Sequence, residues 1–294
     1  MLSEAKSRFS GKKTKLIDII FPPSTPDVSS AYYYVEILKG IEVGVRIHNY
    51  GALMFASHVE SDKIVYEKNF DAGIVDGIII IAYPIEKEIV QTLRNKKVPT
   101  VSIACDHPKL SYVKIDNRFG VFKVVEYLIK LGHKKIGIIN GTKESPDNDE
   151  RFHSFKLALE KHGLKISDDL IGFGDFDEKL GYYIMKKMLA QSSNPTAVFC
   201  ANDLMAIGAI NAVREVGLNV PEDISIVGFD DIGRAQIVHP PLTTVKQDSF
   251  ELGKLAVEIL VKQIEEPSTK VTQIILQPEL IIRKSCAKAV NHKS

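Results

Sequence analysis

The sequence predicts an α/β protein of two doubly wound parallel-sheet lobes joined by crossover segments. Three observations predict it. Short apolar runs alternate with amphipathic helix signals, four or five pairs and then four or five more, the pattern of parallel sheets covered on both faces. Some runs are wholly aliphatic, GIIII at 77–81 above all, which implies strands buried on both sides. The chain has 294 residues, long for one core and enough for two lobes.

The stretch 197–231 shows one complete unit. Residues 197–201 read as a buried strand, and Asn202–Asp203 follow as helix N-cap candidates. Ala206, Ile207, Ile210, Val213 and Val216 recur at helical spacing, and Gly217 stops the helix. A second apolar run, 224–229, ends in Asp230–Asp231. In open parallel sheets ligands bind outside the carboxyl ends of the strands, so these polar residues are site candidates.

The other elements follow in order. Strands are expected at 16–21, 52–56, 77–81 and 100–104, with helices at 32–49, near 62–72, and at 86–96. The second series has strands at 112–115, 135–140 and 170–173, and helices at 118–131, 150–162 and 178–190. HPPLTTVKQDS reads as a Pro-bearing extended connection, followed by a helix at 250–265. Residues 272–283 read as extended. Pro278 does not belong in a central ladder, so this segment is either two strands or one strand crossing between lobes. The expected division is 1–14 as a terminal linker, 15–115 plus 247–272 as one lobe and 116–246 plus 273–290 as the other, with a ligand cleft between them.

Composition excludes several classes. A net charge of +1 leaves no bulk footprint of a nucleic-acid binder. Three scattered cysteines make no disulfide framework and suit a reducing cytoplasm. No run reaches the roughly 18 apolar residues of a membrane span, and MLSEAKSRFSGKKTK has no secretory apolar core. GKKT fails as a phosphate loop, because Lys6 and Lys13 stand where Gly and Ser or Thr are needed.

Enzyme chemistry finds little support. There is no GxSxG or HExxH, and no GxGxxG after a strand. Asp116, Asp203, Asp230 and Asp231 are candidates for acid–base work, without an evident water-activating partner, and Asp203 equally fits a helix cap. The eight histidines lack metal-ligand spacing, and His133, just after a helix stop, fits a helix C-terminus better. No cofactor or metal is expected. Tyr34 falls on the apolar face of its helix and reads as core, whereas Tyr33 points elsewhere and is the better ligand candidate.

Several segments resemble the effector-binding core of LacI/GalR-type transcription regulators, which share a fold with periplasmic sugar-binding proteins of type I. They are VEILKGIEVG, VDGIIII, IDNRFGVFKVVEYLIKLGHKKIGIING, ERFHSFKLALEKHGL, GDFDEKLGY, PTAVFCANDLMAIGAI, VPEDISIVGFDDI, PPLTTVKQD and ELIIRKSC, in the family's order over about residues 14–286. The resemblance implies a small sugar-like effector between the lobes, a homodimer and allosteric control of operator binding. It implies ligand roles for Arg151 in DER, Asn202 in CAND, Asp230 in GFDD and Phe176 in GDF. Asp116 in IDN would be another cleft group, and Gln247 in VKQD a polar residue at the hinge.

The departures carry information too. The family's first loop usually reads like PDISNPFF, and here it is STPDVSSAYYY. Purine-responsive members carry Arg and Thr ahead of the shared Arg, where this chain has Ser145 and Asp147, so a sugar or sugar derivative is favoured over a purine. The family's helix-turn-helix headpiece is expected to be missing. LSEAKSRFSGKKT resembles the linker that follows it, so operator DNA would be reached only through that headpiece. A solute-binding protein of a sugar transporter is the alternative reading, and a sugar-modifying enzyme a third.

Overall fold

The structure is a computed structural model and describes residues 13–21, 31–54, 59–60, 63–64, 66–81, 85–143, 145–191, 194–267 and 270–289. The terminal linker expected at 1–14 and the first loop therefore lie almost wholly outside the described residues.

The chain divides into two compact units, each built on its own six-stranded sheet. The first sheet holds β1 (Leu16–Ile20), β2 (Gly51–Met54), β5 (Gly77–Ile81), β6 (Thr100–Ile103), β7 (Ser111–Ile115) and β13 (Gln273–Leu276), in the order β13-β7-β6-β5-β1-β2. From β2 to β7 all neighbours are parallel. The aliphatic run becomes β5, and all five of its residues are buried. Its helices are α1 (Ala31–Ile47), the short α2 (Lys68–Asp71), α3 (Lys87–Asn95) and α9 (Ser249–Glu265). Val90 and Leu93 of α3 pack with Ile78 and Ile80, while Leu260 and Ile264 of α9 come against Gly77.

The second sheet runs β14-β12-β11-β10-β8-β9. Its strands are β8 (Ile136–Asn140), β9 (Ile171–Phe173), β10 (Ala197–Cys200), β11 (Ser225–Asp230), β12 (Thr243–Lys246) and β14 (Glu279–Ile281), and only the β12–β14 pairing is antiparallel. Strand side chains alternate between faces, and both faces are covered. Ala197, Phe199, Val227 and Phe229 meet Val124, Leu128, Phe155 and Leu159 of α4 (Asn117–Lys130) and α5 (Pro146–Lys161). Val198, Cys200 and Ile226 meet Met185, Met205 and Ala209 of α6 (Glu178–Leu189) and α7 (Asp203–Glu215).

Helices cross at glycines in both units. A Cβ on Gly208 would overlap the Glu178 carbonyl, and one on Gly181 the Met205 backbone. In the first unit Gly40 and Gly253 approach the carbonyls of Phe250 and Ile37 in the same way. Helix propensity favours Gly208→Ala by about 1 kcal/mol, but parting α6 from α7 costs about 1–3 kcal/mol, as overpacking does. Net destabilisation is expected for Gly208→Ala and more for Gly208→Val. Urea unfolding checks this, and an unchanged midpoint for both variants would contradict the close crossing.

Several boundaries and elements differ from the sequence reading. The helix expected near 62–72 shrinks to α2, and part of that stretch pairs instead as β3 (Val59–Glu60) with β4 (Lys63–Ile64). HPPLTTVKQDS contains β12, a parallel strand whose Thr243 and Thr244 are fully buried. A short helix, α8 (Gly233–Ile237), was not expected. Pro278 separates two strands in two different sheets, so β13 belongs to the first unit, which runs to Leu276 and not 272. Gln247 falls in the second unit. His133 does not serve a helix end through its ring. The buried ring bridges the Thr196 hydroxyl at 3.0 Å and the Ala287 carbonyl at 3.1 Å, and burial lowers its pKa.

Among the described residues no helix is long and apolar enough to cross a membrane.

Candidate functional site

Strand order in the second sheet reverses between β8 and β10. The chain leaves β8 for β9 on one side and later enters β10 on the other. Such a switch point opens a crevice at the carboxyl ends of the strands. Asn140, Ala201–Asn202, Asp230 and Gln247 stand at the ends of β8, β10, β11 and β12.

Arg151 comes to this edge from α5. That helix begins earlier than the expected residue 150, because the Ser145 hydroxyl caps it and Pro146 fills its first turn. The Arg151 side chain is 4% exposed. Its Nε donates to Asn117 Oδ1 at 2.8 Å and its Nη1 to the Ala201 carbonyl at 2.6 Å. The guanidinium lies 3.8 Å over the Phe229 ring, and Nη1 is 3.7 Å from Asp230 Oδ1. A planar fork suits this position: it stacks on a ring and donates in two directions at once.

Asp230 is held in an unusual backbone conformation, φ +117°, and Asp231 follows at +58°. Gln247 Nε2 donates to Asp230 Oδ1, and Arg283 pairs with Asp231 at 2.6 Å. Strained backbone of this kind persists where its surroundings fix it, and it concentrates at binding sites. Burial pushes the Asp230 carboxyl up to about 7. Arg151 and Gln247 oppose that shift, and Asp147 adds to it. Asp203, fully buried, accepts from the Thr244 hydroxyl and from the Ile232 N–H. Burial, reinforced by Asp230, holds its carboxyl well above the usual carboxylate range.

The capping assignment reverses. Asn202, not Asp203, caps α7, accepting from Met205 N at 2.9 Å, while its Nδ2 donates to the Phe176 carbonyl at 3.0 Å. Both ends of the Asn202 carboxamide thus serve the scaffold. Phe176 has φ +61° and packs its ring on Gly141, just past the end of β8. Asp116 caps α4, accepting from Phe119 N at 2.8 Å. Tyr33 is half-buried in the first turn of α1.

The second unit thus brings Arg151, Asp230 and Gln247 into one cluster and places Asn202 and Phe176 in direct contact. Asp203 is enclosed and Asp231 is in an ion pair, so neither is placed for acid–base work on a substrate. Sequence reasoning missed Asn117, which is fully buried. Its Nδ2 donates to Asp147 at 2.7 Å and Glu150 at 3.2 Å, while its Oδ1 receives Arg151. Its one signal was adjacency to Asp116 in IDN. Asn140 Oδ1 and Asn148 Nδ2 were missed as well. Both are buried without a hydrogen-bond partner, although Asn148 Oδ1 accepts from Gly141 N at 2.6 Å. Among the described residues no group of three or more His, Cys, Asp or Glu gathers as metal ligands.

Comparison with known proteins gives this arrangement a context. Residues 125–286 match the family described as periplasmic binding protein-like domain. The HTH-type transcriptional repressor PurR of Pasteurella multocida (strain Pm70) is 36% identical over 263 residues, covering 87% of this chain and 78% of that protein. A regulatory protein of the LacI family from Chloroflexus aggregans superposes with a TM-score of 0.83 at 30% identity, covering 93% of this chain and 99% of the other. The transcriptional regulator CelR in complex with cellobiose gives 0.82 at 26%, covering 96% and 89%. On the extent and identity of these matches, the chain belongs to the LacI-type family of transcription regulators and carries its periplasmic-binding-protein-like effector domain.

Proposed function

We propose that this chain senses a small sugar or sugar derivative and passes the signal to operator binding as a homodimer. The observation that carries the reading is the Arg151–Asp230–Gln247 cluster at the carboxyl ends of the second sheet. A charged fork, a carboxylate and a carboxamide together can donate to and accept from neighbouring hydroxyls. The cellobiose complex of CelR supports a saccharide as the ligand class. Asp116, Phe176 and Tyr33 remain part of the proposed ligand surface, and Asn202 acts there by fixing Phe176. Effector and operator would change each other's affinity by the same factor.

Isothermal calorimetry against a panel of sugars tests this. At least one sugar is expected to bind. Asp230→Ala is expected to weaken it by about ten- to a hundredfold, the value of a hydrogen bond to a charged group. Absence of binding by every sugar, nucleoside and amino acid tried would overturn the sensor reading, as would undiminished binding by Asp230→Ala. Sedimentation of the same protein checks the dimer.

A further inference from the structure

The first unit has a concave surface of its own, away from the carboxyl ends of its strands. Asp76 precedes β5, and Thr100 and Ser111 open β6 and β7. All three line a groove of about 850 Å³ at the amino ends of the strands. Its residues all belong to the first unit. The volume falls within the roughly 300–1,000 Å³ of small-molecule sites.

Four cations line the groove, Lys13, Arg94, Lys97 and Lys109, against two carboxylates, Asp71 and Asp76. Both carboxylates are already engaged. Asp71 pairs with Lys96 at 2.6 Å. Asp76 accepts from Thr14 N at 2.9 Å, from Thr14 Oγ1 at 3.0 Å and from Lys15 N at 2.8 Å. Among the described residues none of the four cations is in an ion pair. Arg94 Nη1 donates to the Lys109 carbonyl at 3.1 Å, which ties two like-charged residues to one wall. The carboxyl end of α3 attracts cations through its dipole, and that accounts for Arg94 and Lys97. It does not account for Lys13 and Lys109, which come from the segment before β1 and the turn before β7. Lys97 also stands at φ +55°, where glycine is favoured.

Below this rim the groove is apolar or self-satisfied. Phe70, Val98, Leu110 and Ile264 line it. Gln263 is spent on Thr100 N, at 3.1 Å, and on the Ser111 hydroxyl, at 2.7 Å.

We propose that this groove is a second ligand site, for a phosphorylated small molecule whose organic body lies on the apolar wall. A cleft lined by one sign of charge concentrates counter-ions. Guanidinium and ammonium groups form charge-assisted bonds with phosphate oxygens. A nucleic-acid duplex would meet the cations at the rim and leave the apolar wall bare, so a small ligand fits better. The site shares no residue with Arg151, Asp230 or Gln247, which belong to the second unit. It therefore stands or falls apart from the sugar-sensor reading.

Calorimetry tests it with glucose 6-phosphate, fructose 1,6-bisphosphate, AMP and ATP, each against its unphosphorylated counterpart and against inorganic pyrophosphate. At least one organic phosphate is expected to bind at least about tenfold tighter than both controls. Its affinity is expected to fall at least about tenfold between roughly 20 and 200 mM salt. Lys97→Gln combined with Lys109→Gln is expected to weaken it at least about tenfold again, the value of a lost charge-assisted bond. Both side chains are exposed, so the melting temperature should not change. Binding is expected to persist in Asp230→Ala. The site is overturned if no organic phosphate binds, if the lysine pair leaves binding intact, or if Asp230→Ala abolishes it. Pyrophosphate binding as tightly as every organic phosphate overturns the role of the apolar wall. Duplex DNA binding that the lysine pair abolishes, with no small phosphate bound, would make the groove a nucleic-acid surface instead.

Discussion

Arg151→Ala is expected to lower the stability of the second unit by about 3–5 kcal/mol, the range for breaking a buried charged network from one side. The guanidinium is the donor for two buried acceptors, Asn117 Oδ1 and the Ala201 carbonyl, and it covers the Phe229 ring. Truncation leaves both acceptors without it and opens a cavity under α5. It also removes the cation that restrains Asp230, whose carboxyl would then be neutral across a wider pH range. Arg151→Lys retains a charge but cannot stack flat or bond in two directions, so an intermediate loss is expected. Denaturant unfolding, read by a probe in the second unit, measures both variants. A loss below about 1 kcal/mol for Arg151→Ala, the size of a surface ion pair, would show that the network is not structural. Asp230→Asn combined with Arg151→Ala should recover part of the loss, because the carboxylate no longer needs its cation.

The alternation of strands and helices is legible in the sequence because the central strands of both sheets are buried on both faces. Gly77–Ile81, Ala197–Cys200 and Ile136–Asn140 are therefore nearly continuous apolar runs, and little else forms such runs. The strand Thr243–Lys246 is not legible. Its threonine hydroxyls are polar, and partners 41 and 40 residues away let them be buried: Asp203 accepts from Thr244, and the Arg283 N–H donates to the Thr243 hydroxyl. The same remote contact explains the exchange of roles between Asn202 and Asp203. Either residue can cap a helix, and local spacing cannot choose between them. Thr244 and Ile232 choose, by drawing Asp203 inward.

The site divides along similar lines. Arg151, Asp230 and Gln247 were reached through the family resemblance, and the strand ends give them a physical reason to meet. Asn117 has no motif of its own. Its partners lie 30, 33 and 34 residues away on α5, a relation that only folding creates. Most of the first loop, where the sequence departs from the family pattern, lies outside the described residues.

Asp203→Asn is expected to make the protein more stable at pH 8 and to change it little at pH 4. The Asp203 carboxyl is held well above the ordinary 3.8 by burial first and by Asp230 second. For an acid whose folded-state pKa is raised, the folded state holds the proton over the window in which the unfolded state has released it. Stability from this group therefore falls as pH rises from about 3.8 toward the folded value. Asp230 follows the same sign, with its window running from 3.8 to about 7. Asparagine keeps an oxygen for the Ile232 N–H and sets an amide against the Thr244 hydroxyl, so geometry is retained while the titrating charge is gone. Asp203→Ala removes both bonds instead, leaving a buried N–H and hydroxyl without partners, and about 2–5 kcal/mol of destabilisation is expected. The informative quantity is the stability difference between wild type and Asp203→Asn, measured by urea unfolding at intervals from pH 4 to 8. It should grow with pH. A flat difference would mean that Asp203 titrates alike in both states, and a difference that shrinks with pH would mean that the folded state prefers it ionised.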